Sequence, residues 1–281
     1  MSARHGLLAG LLCCGLSGCA GHGYFYYPTA KVYDIPYRHG LEAETVRFPS
    51  LDDTALYGYL FRAEGEPQGT VVFFHGNHGN VTEHFSLATF LLESGFDVLA
   101  FDYRGFGASE GVPTPAGTIR DGLAAVRYAR SRARDSERAV GVFGQSLGGA
   151  IALEVAAREG AVRGAVIEST FTSSREIAAA TLRRSWILRP LARPLARLML
   201  SRGYEPQERI GFLSPRPVLL IHGDRDSTIP SDMAERLLSR ASEPKALWVV
   251  KGAGHLGCRK VAGKDYEDRI AGFFARAFSA H

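Results

Sequence analysis

The sequence predicts one α/β domain, with a mostly parallel central sheet covered by helices on both faces and a helical cap insertion. Two observations carry that expectation. From about residue 43 onward, short apolar runs alternate with segments of helical length. Most of those runs are continuously apolar rather than alternating, which marks strands buried on both faces. The 281 residues suffice for one large domain with a deep core. The hydrophobic share of 46% and charged share of 22% are those of an ordinary globular chain.

Each element has its own signal. Residues 45–48 and 56–60 read as antiparallel strands joined by a turn at 49–53. Residues 70–74 form a buried strand running into His75-Gly76. A helix is expected over 84–93, stopped by Gly95. Residues 98–101 make the next strand. Over 116–130, Ile119, Leu123, Val126 and Tyr128 lie on and beside one helical face. A short strand at 139–143 precedes an Ala-rich helix at 147–158, and residues 162–167 are a strand again. Strands at 218–221 and 247–250 complete the set, with a helix around 233–238 between them. A last helix spans about 265–278. The crossovers are expected to be right-handed. Residues 171–215 break the rhythm as a helical insertion, where a cap over a site would be placed. There is no internal repeat and no low-complexity linker.

The first 40 residues differ from the rest. Arg4 and His5 precede an apolar run, Gly6 through Gly15, too short for a transmembrane helix. Leu16-Ser17-Gly18-Cys19 follows and resembles a bacterial lipobox. Residues 1–18 are therefore expected to be a lipoprotein signal, with Cys19 the lipidated first residue of the mature chain. Ala20 rather than an aspartate follows it, which in lipoproteins of enterobacterial type favours the outer membrane. The blander readings are an ordinary secretory leader and a stray cysteine. Residues 19–40, with Tyr24, Phe25, Tyr26, Tyr27, Tyr33 and Tyr37, read as an irregular tether whose aromatics pack on the domain at 41–281.

Gly144-Gln145-Ser146-Leu147-Gly148 fits the pattern G-x-S-x-G between a strand and a helix. Glycines suit a sharp turn that presents the Ser146 hydroxyl and directs the Leu147 amide at an oxyanion. A serine nucleophile needs a base, and the base needs an orienting acid. His255 follows the strand at 247–250 and is the expected base. Asp226 follows the strand at 218–221 and is the expected acid, with Asp224 its competitor as a turn former. The Asn77 backbone amide, in His75-Gly76-Asn77-His78-Gly79-Asn80, is the expected second oxyanion donor. Gly76 is expected to let that chain turn beneath a substrate, and Asn80 to hold the loop open. His75 and His222, each before a glycine, are expected to shape loops. A phosphate loop is disfavoured because the lysine and Ser/Thr of that motif are absent.

These segments resemble the alpha/beta-hydrolase superfamily from about Ala43 onward. The order Ser, Asp, His and the spacing His222-Gly223-x-x-Asp226-x-x-x-Pro230 match its pattern. Phe101-Asp102-Tyr103-Arg104-Gly105-Phe106-Gly107 looks like the family segment after the fourth strand, where Asp102 and Arg104 would be structural. The resemblance implies the alpha/beta-hydrolase fold. It is strongest to lipid-associated serine hydrolases related to depalmitoylating thioesterases, a branch also labelled serine aminopeptidases. Serine at 146 rather than aspartate argues against epoxide hydrolases and haloalkane dehalogenases.

The expected activity is ester or thioester cleavage through an acyl-enzyme, without cofactor or metal. A peptidase, a lipid acyltransferase and a non-enzymatic envelope lipoprotein are the rivals. A net charge of +4 and the absence of any nucleic-acid motif argue against nucleic-acid binding. Partners are expected to be a small acyl ester, thioester or lipid, and a membrane met through Cys19 and through the arginine-rich, apolar insertion. With three of four cysteines in the first twenty residues, Cys258 has no disulfide partner in the body of the domain and is expected to fill a loop.

Overall fold

The computed structural model describes residues 25–133, 139–200 and 203–279. The lipobox-like segment expected at 16–19, with Cys19, lies outside the described residues. The strands are β1 (Tyr27–Pro28), β2 (Ala43–Pro49), β3 (Ala55–Phe61), β4 (Thr70–Phe74), β5 (His78–Gly79), β6 (Asp97–Phe101), β7 (Val140–Gln145), β8 (Val162–Glu168), β9 (Val218–Gly223) and β10 (Lys245–Val250). Eight of them form one sheet in the order β10-β9-β8-β7-β4-β6-β3-β2. β2, β3 and β6 pair antiparallel in succession, and the remaining neighbours pair in parallel. This is the alpha/beta-hydrolase fold, a mostly parallel sheet with helices on both faces and a helical cap.

The period of two explains how the sheet makes two cores. Val72 and Phe74 point into one layer, with Ile119, Val126 and Leu153 of the helices Pro115–Ser131 and Leu147–Arg158. Val71 and Phe73 point into the other, with Phe96 and with Ile270 and Phe274 of the helix Lys264–Ser279. Thr114 caps Pro115–Ser131 by accepting the Gly117 amide at 3.0 Å, and Pro115 suits the first turn. The chain leaves β4 for β6 on one side and reaches β7 on the other. The carboxyl ends of β4 and β7 therefore flank a switch in strand order, where this kind of sheet opens a crevice.

Two expectations are corrected. The helix expected over 84–93 is a single turn, Val81–His84, followed by 3₁₀ turns at Phe85–Leu87 and Thr89–Leu91. Arg259 Nη1 takes the Ser86 carbonyl at 2.9 Å, and the Thr89 hydroxyl leans on the same oxygen. An α-helical ladder would need that carbonyl for itself. Nor is the described part of the tether wholly irregular. β1 pairs in parallel with β5, and the Asn80 side-chain amide donates to the Thr29 and Lys31 carbonyls at 2.7 and 2.8 Å.

The described residues between 171 and 215 form the cap. Helices Ser174–Leu182 and Ala192–Met199 pack through Ala179, Leu182, Ala192 and Ala196. Tyr26 and Tyr204 share a buried hydrogen bond of 2.6 Å, which ties the N-terminal segment to the end of the cap.

Candidate active site

Ser146 ends β7 and starts the helix Leu147–Arg158 with φ 55° and ψ −118°. That left-handed φ is costly for a serine and must be held by its surroundings. The Ser146 amide donates to the Glu168 carbonyl at 2.9 Å, and its carbonyl accepts from the Thr170 hydroxyl at 2.8 Å. The flanking glycines answer a lack of space. A Cβ at Gly144 would lie 2.5 Å from the Gly148 carbonyl, and one at Gly148 would lie 2.1 Å from that of Phe74.

His255 Nε2 lies 3.1 Å from Ser146 Oγ, and its Nδ1 lies 2.7 Å from Asp226 Oδ2. Asp226 is fully buried, and its Oδ1 accepts the Thr228 and Ile229 amides, each at 2.8 Å. Burial alone would raise its carboxyl. Contacts with His222, with His255 and with the Ile229 amide outweigh burial and hold it well below the usual carboxylate range. Asp224 instead accepts the Gly252 amide at 2.6 Å and braces the loop that carries His255. An anionic acid, an oriented imidazole and a hydroxyl in one hydrogen-bonded chain are what serine nucleophilic chemistry requires.

The three side chains open on a cavity of about 480 Å³. Its walls are largely apolar, with Phe25, Phe171, Ile177, Leu182, Met199, Leu200 and Ile229 prominent among them. Asn77 and Leu147 line it beside Ser146. Neither the Asn77 nor the Leu147 amide has an acceptor among the described residues, so the cavity wall carries two available donors beside Ser146. The Asn77 carbonyl accepts the Tyr27 amide at 2.8 Å, so the N-terminal segment fixes the loop that presents this donor.

Gly76 does not adopt a left-handed φ. Gly79 does, at 73°, so the loop turns there. Asp102 Oδ1 takes the Val81 amide at 2.6 Å just beyond this loop. Arg104 donates to Asp121 and Asp52, binding the segments behind it. Cys258 is fully buried at the start of the short helix Cys258–Ala262, away from the cavity lining. Burial, and then Glu168, push its thiol well above the ordinary range. Among the described residues no group of His, Cys, Asp and Glu is placed to hold a metal ion.

A family model described as "Serine aminopeptidase, S33" matches residues 65–214, just over half of the chain. The chain belongs to this family, within the alpha/beta-hydrolase superfamily. The uncharacterized protein YfhR of Escherichia coli is 34% identical over 265 residues, covering 91% of this chain and 88% of that protein. The uncharacterized protein Rv2307c of Mycobacterium tuberculosis is 34% identical over 223 residues, covering 79% of this chain and 75% of its own. Among solved structures, the Pyrococcus furiosus esterase Pf2001 superposes with a TM-score of 0.76. At 23% identity it covers 91% of this chain and 98% of that one, a likeness of fold. Membership of the S33 family makes this chain a hydrolase in general type.

Sequence reasoning missed two features of this site. His222 is more than a loop former: its Nε2 stands 3.4 Å from Asp226 Oδ2 and 3.0 Å from the Ile229 carbonyl, backing the acid. Its position four residues before Asp226 was the available signal. Phe25 and Tyr27 wall the cavity, and only the run of aromatics hinted at a structural role.

Proposed function

We propose that this chain is a serine carboxylesterase or acyl-thioesterase that works through an acyl-enzyme on Ser146. The observation that carries the reading is the Ser146–His255–Asp226 chain opening on a largely apolar cavity with two available amides. His255 takes the Ser146 proton as Oγ attacks the acyl carbonyl, and Asp226 steadies the imidazolium. The Leu147 and Asn77 amides receive the oxyanion. His255 then gives the proton to the departing alcohol or thiol, and water attacks the acyl-enzyme by the reverse route.

The family description names aminopeptidases. An aminopeptidase would need an acidic group to receive the substrate ammonium, and no carboxylate lines the cavity among the described residues. A saturated acyl chain suits these walls better. A thioester of a long-chain acyl group, the substrate type of depalmitoylating enzymes, is therefore the leading candidate. A matched panel of acyl esters, acyl thioesters and aminoacyl amides tests this. Turnover of the first two over the third is expected. Preferential cleavage of aminoacyl amides would replace the reading with a peptidase, and transfer of the acyl group to a lipid alcohol in place of water would make the enzyme an acyltransferase.

We also propose that Cys19 is lipidated and holds the domain at the cell envelope, on the outer membrane in a Gram-negative cell. The lipobox-like sequence supports this, since two or more acyl chains give stable anchoring. Metabolic labelling with a tagged fatty acid should mark the chain and fail to mark Cys19→Ser.

A further inference from the structure

The cap has two faces, and the cavity uses only one. Ile177, Leu182, Met199 and Leu200 turn inward to line the cavity, while Ala192 and Ala196 close the seam between the cap helices. The outer side presents large apolar groups. Trp186 is 84% exposed, Ile187 63%, Leu191 55% and Leu198 79%. Leu191, Pro194 and Leu198 recur at i, i+3 and i+7 and share a stripe. Arg193 and Arg197 lie one turn apart beside it. Single exposed apolar residues need no explanation, but a group of four on one short segment does.

The charge on this face is one-sided. Residues 177–200 hold five arginines, at 183, 184, 189, 193 and 197, and no aspartate or glutamate. Arg184 is committed to the Ser227 and Thr228 carbonyls of the acid loop. Glu176 and Asp232 line one cleft with Arg183, Arg193 and Arg197, and both are engaged by Arg236. Arg183, Arg189, Arg193 and Arg197 have no carboxylate partner among the described residues.

We propose that this outer face of the cap is a docking surface for a lipid bilayer carrying anionic headgroups. Unneutralised guanidinium groups match phosphates, an exposed indole suits headgroup depth, and Ile187, Leu191 and Leu198 gain by entering the acyl region. A second copy of the chain fits less well. A two-fold contact would set these arginines against their own counterparts. The docking lies outside the acyl chemistry, so a Ser146→Ala chain docks as the parent does.

The test uses the full chain carrying Cys19→Ser, so that no attached acyl chain contributes. The chain has two tryptophans, Trp186 and Trp248, and the Trp186 signal is the difference between the parent and Trp186→Phe. Vesicles of phosphatidylcholine with graded phosphatidylglycerol should shift that signal to the blue and expose it to quenching by brominated acyl chains. Partition should fall roughly thirtyfold in the double variant Arg193→Gln/Arg197→Gln, at about 1 kcal/mol of headgroup attraction lost per arginine. It should also weaken with salt. The leader is present in every variant and cancels from the comparison. Unchanged near-ultraviolet circular dichroism verifies the fold of each variant. A Trp186 signal indifferent to anionic vesicles, or a partition indifferent to the two arginines, overturns the proposal. A Trp186 already shielded without lipid, with a doubled mass by light scattering, would overturn it by giving the face to a second copy.

Discussion

Gly148→Ala tests how the two halves of the proposed oxyanion site are held together. A methyl there would stand 2.1 Å from the Phe74 carbonyl and 2.3 Å from that of His75, where real contacts stay beyond 3.0 Å. Both carbonyls are backbone, at the end of β4, so no flexible side chain can give way. The helix Leu147–Arg158 and β4 must part by about 1 Å to admit the methyl. The Leu147 amide is on one side of that gap and the Asn77 amide on the other. A 1 Å misplacement costs on the order of 10²-fold in rate, and overpacking of this kind costs about 1–3 kcal/mol. The assay is kcat/KM on an activated acyl ester together with urea unfolding, run beside Gly160→Ala. A methyl at Gly160 meets nothing within 4 Å. Gly148→Ala should lose at least about 10²-fold in kcat/KM and unfold at lower urea, while Gly160→Ala stays within about 0.5 kcal/mol. Parent-like kcat/KM and urea midpoint in Gly148→Ala would refute the reasoning.

Four further outcomes follow from named contacts. Asp226→Asn should lower kcat by about 10³–10⁴-fold with little change in KM, because the imidazole loses its orienting anion. Asp224→Asn should cost far less rate, since among the described residues its carboxylate holds only the Gly252 amide, and a larger loss at Asp224 than at Asp226 in steady-state assays would reverse the assignment. His84 stacks on His75 with ring centroids 5.5 Å apart, and burial first, then His75, pulls its imidazole down to about 4. The unfolded chain binds that proton at about pH 6.5, so stability is complete above that pH. It declines as pH falls towards 4, by roughly 3 kcal/mol at most. His84→Gln should flatten unfolding free energy over that window, and an unaltered slope would remove His84 as the cause. Arg104→Met strands the fully buried Asp121 carboxylate and should cost about 3–5 kcal/mol in urea unfolding. A loss below about 1 kcal/mol would show that Asp121 finds another partner.

Much of this architecture is legible in the chain because the signals are local and agree with one another. Residues 71–74 and 98–101 are continuously apolar and too short for a helix, which suits a strand buried on both faces. Ser146 stands at a strand-to-helix junction whose glycines have no room for side chains, so the motif and the packing express one constraint. Asp226 and His255 each follow a strand, and neighbouring parallel strands bring their ends together. What escaped reading depends on distant partners. The segment around Ser86 has helical periodicity, but the guanidinium that claims its carbonyl comes from Arg259, far along the chain. Tyr27 gives no local sign that its amide will meet Asn77. His222 looks like a turn residue until the fold sets its ring against Asp226.

The most direct test of the central claim is the intact mass of the full chain after reaction with a fluorophosphonate, beside Ser146→Ala. The account predicts one adduct on the parent, mapped to Ser146, and none on the variant. No adduct on a chain verified as folded, or an adduct that survives Ser146→Ala, would contradict it.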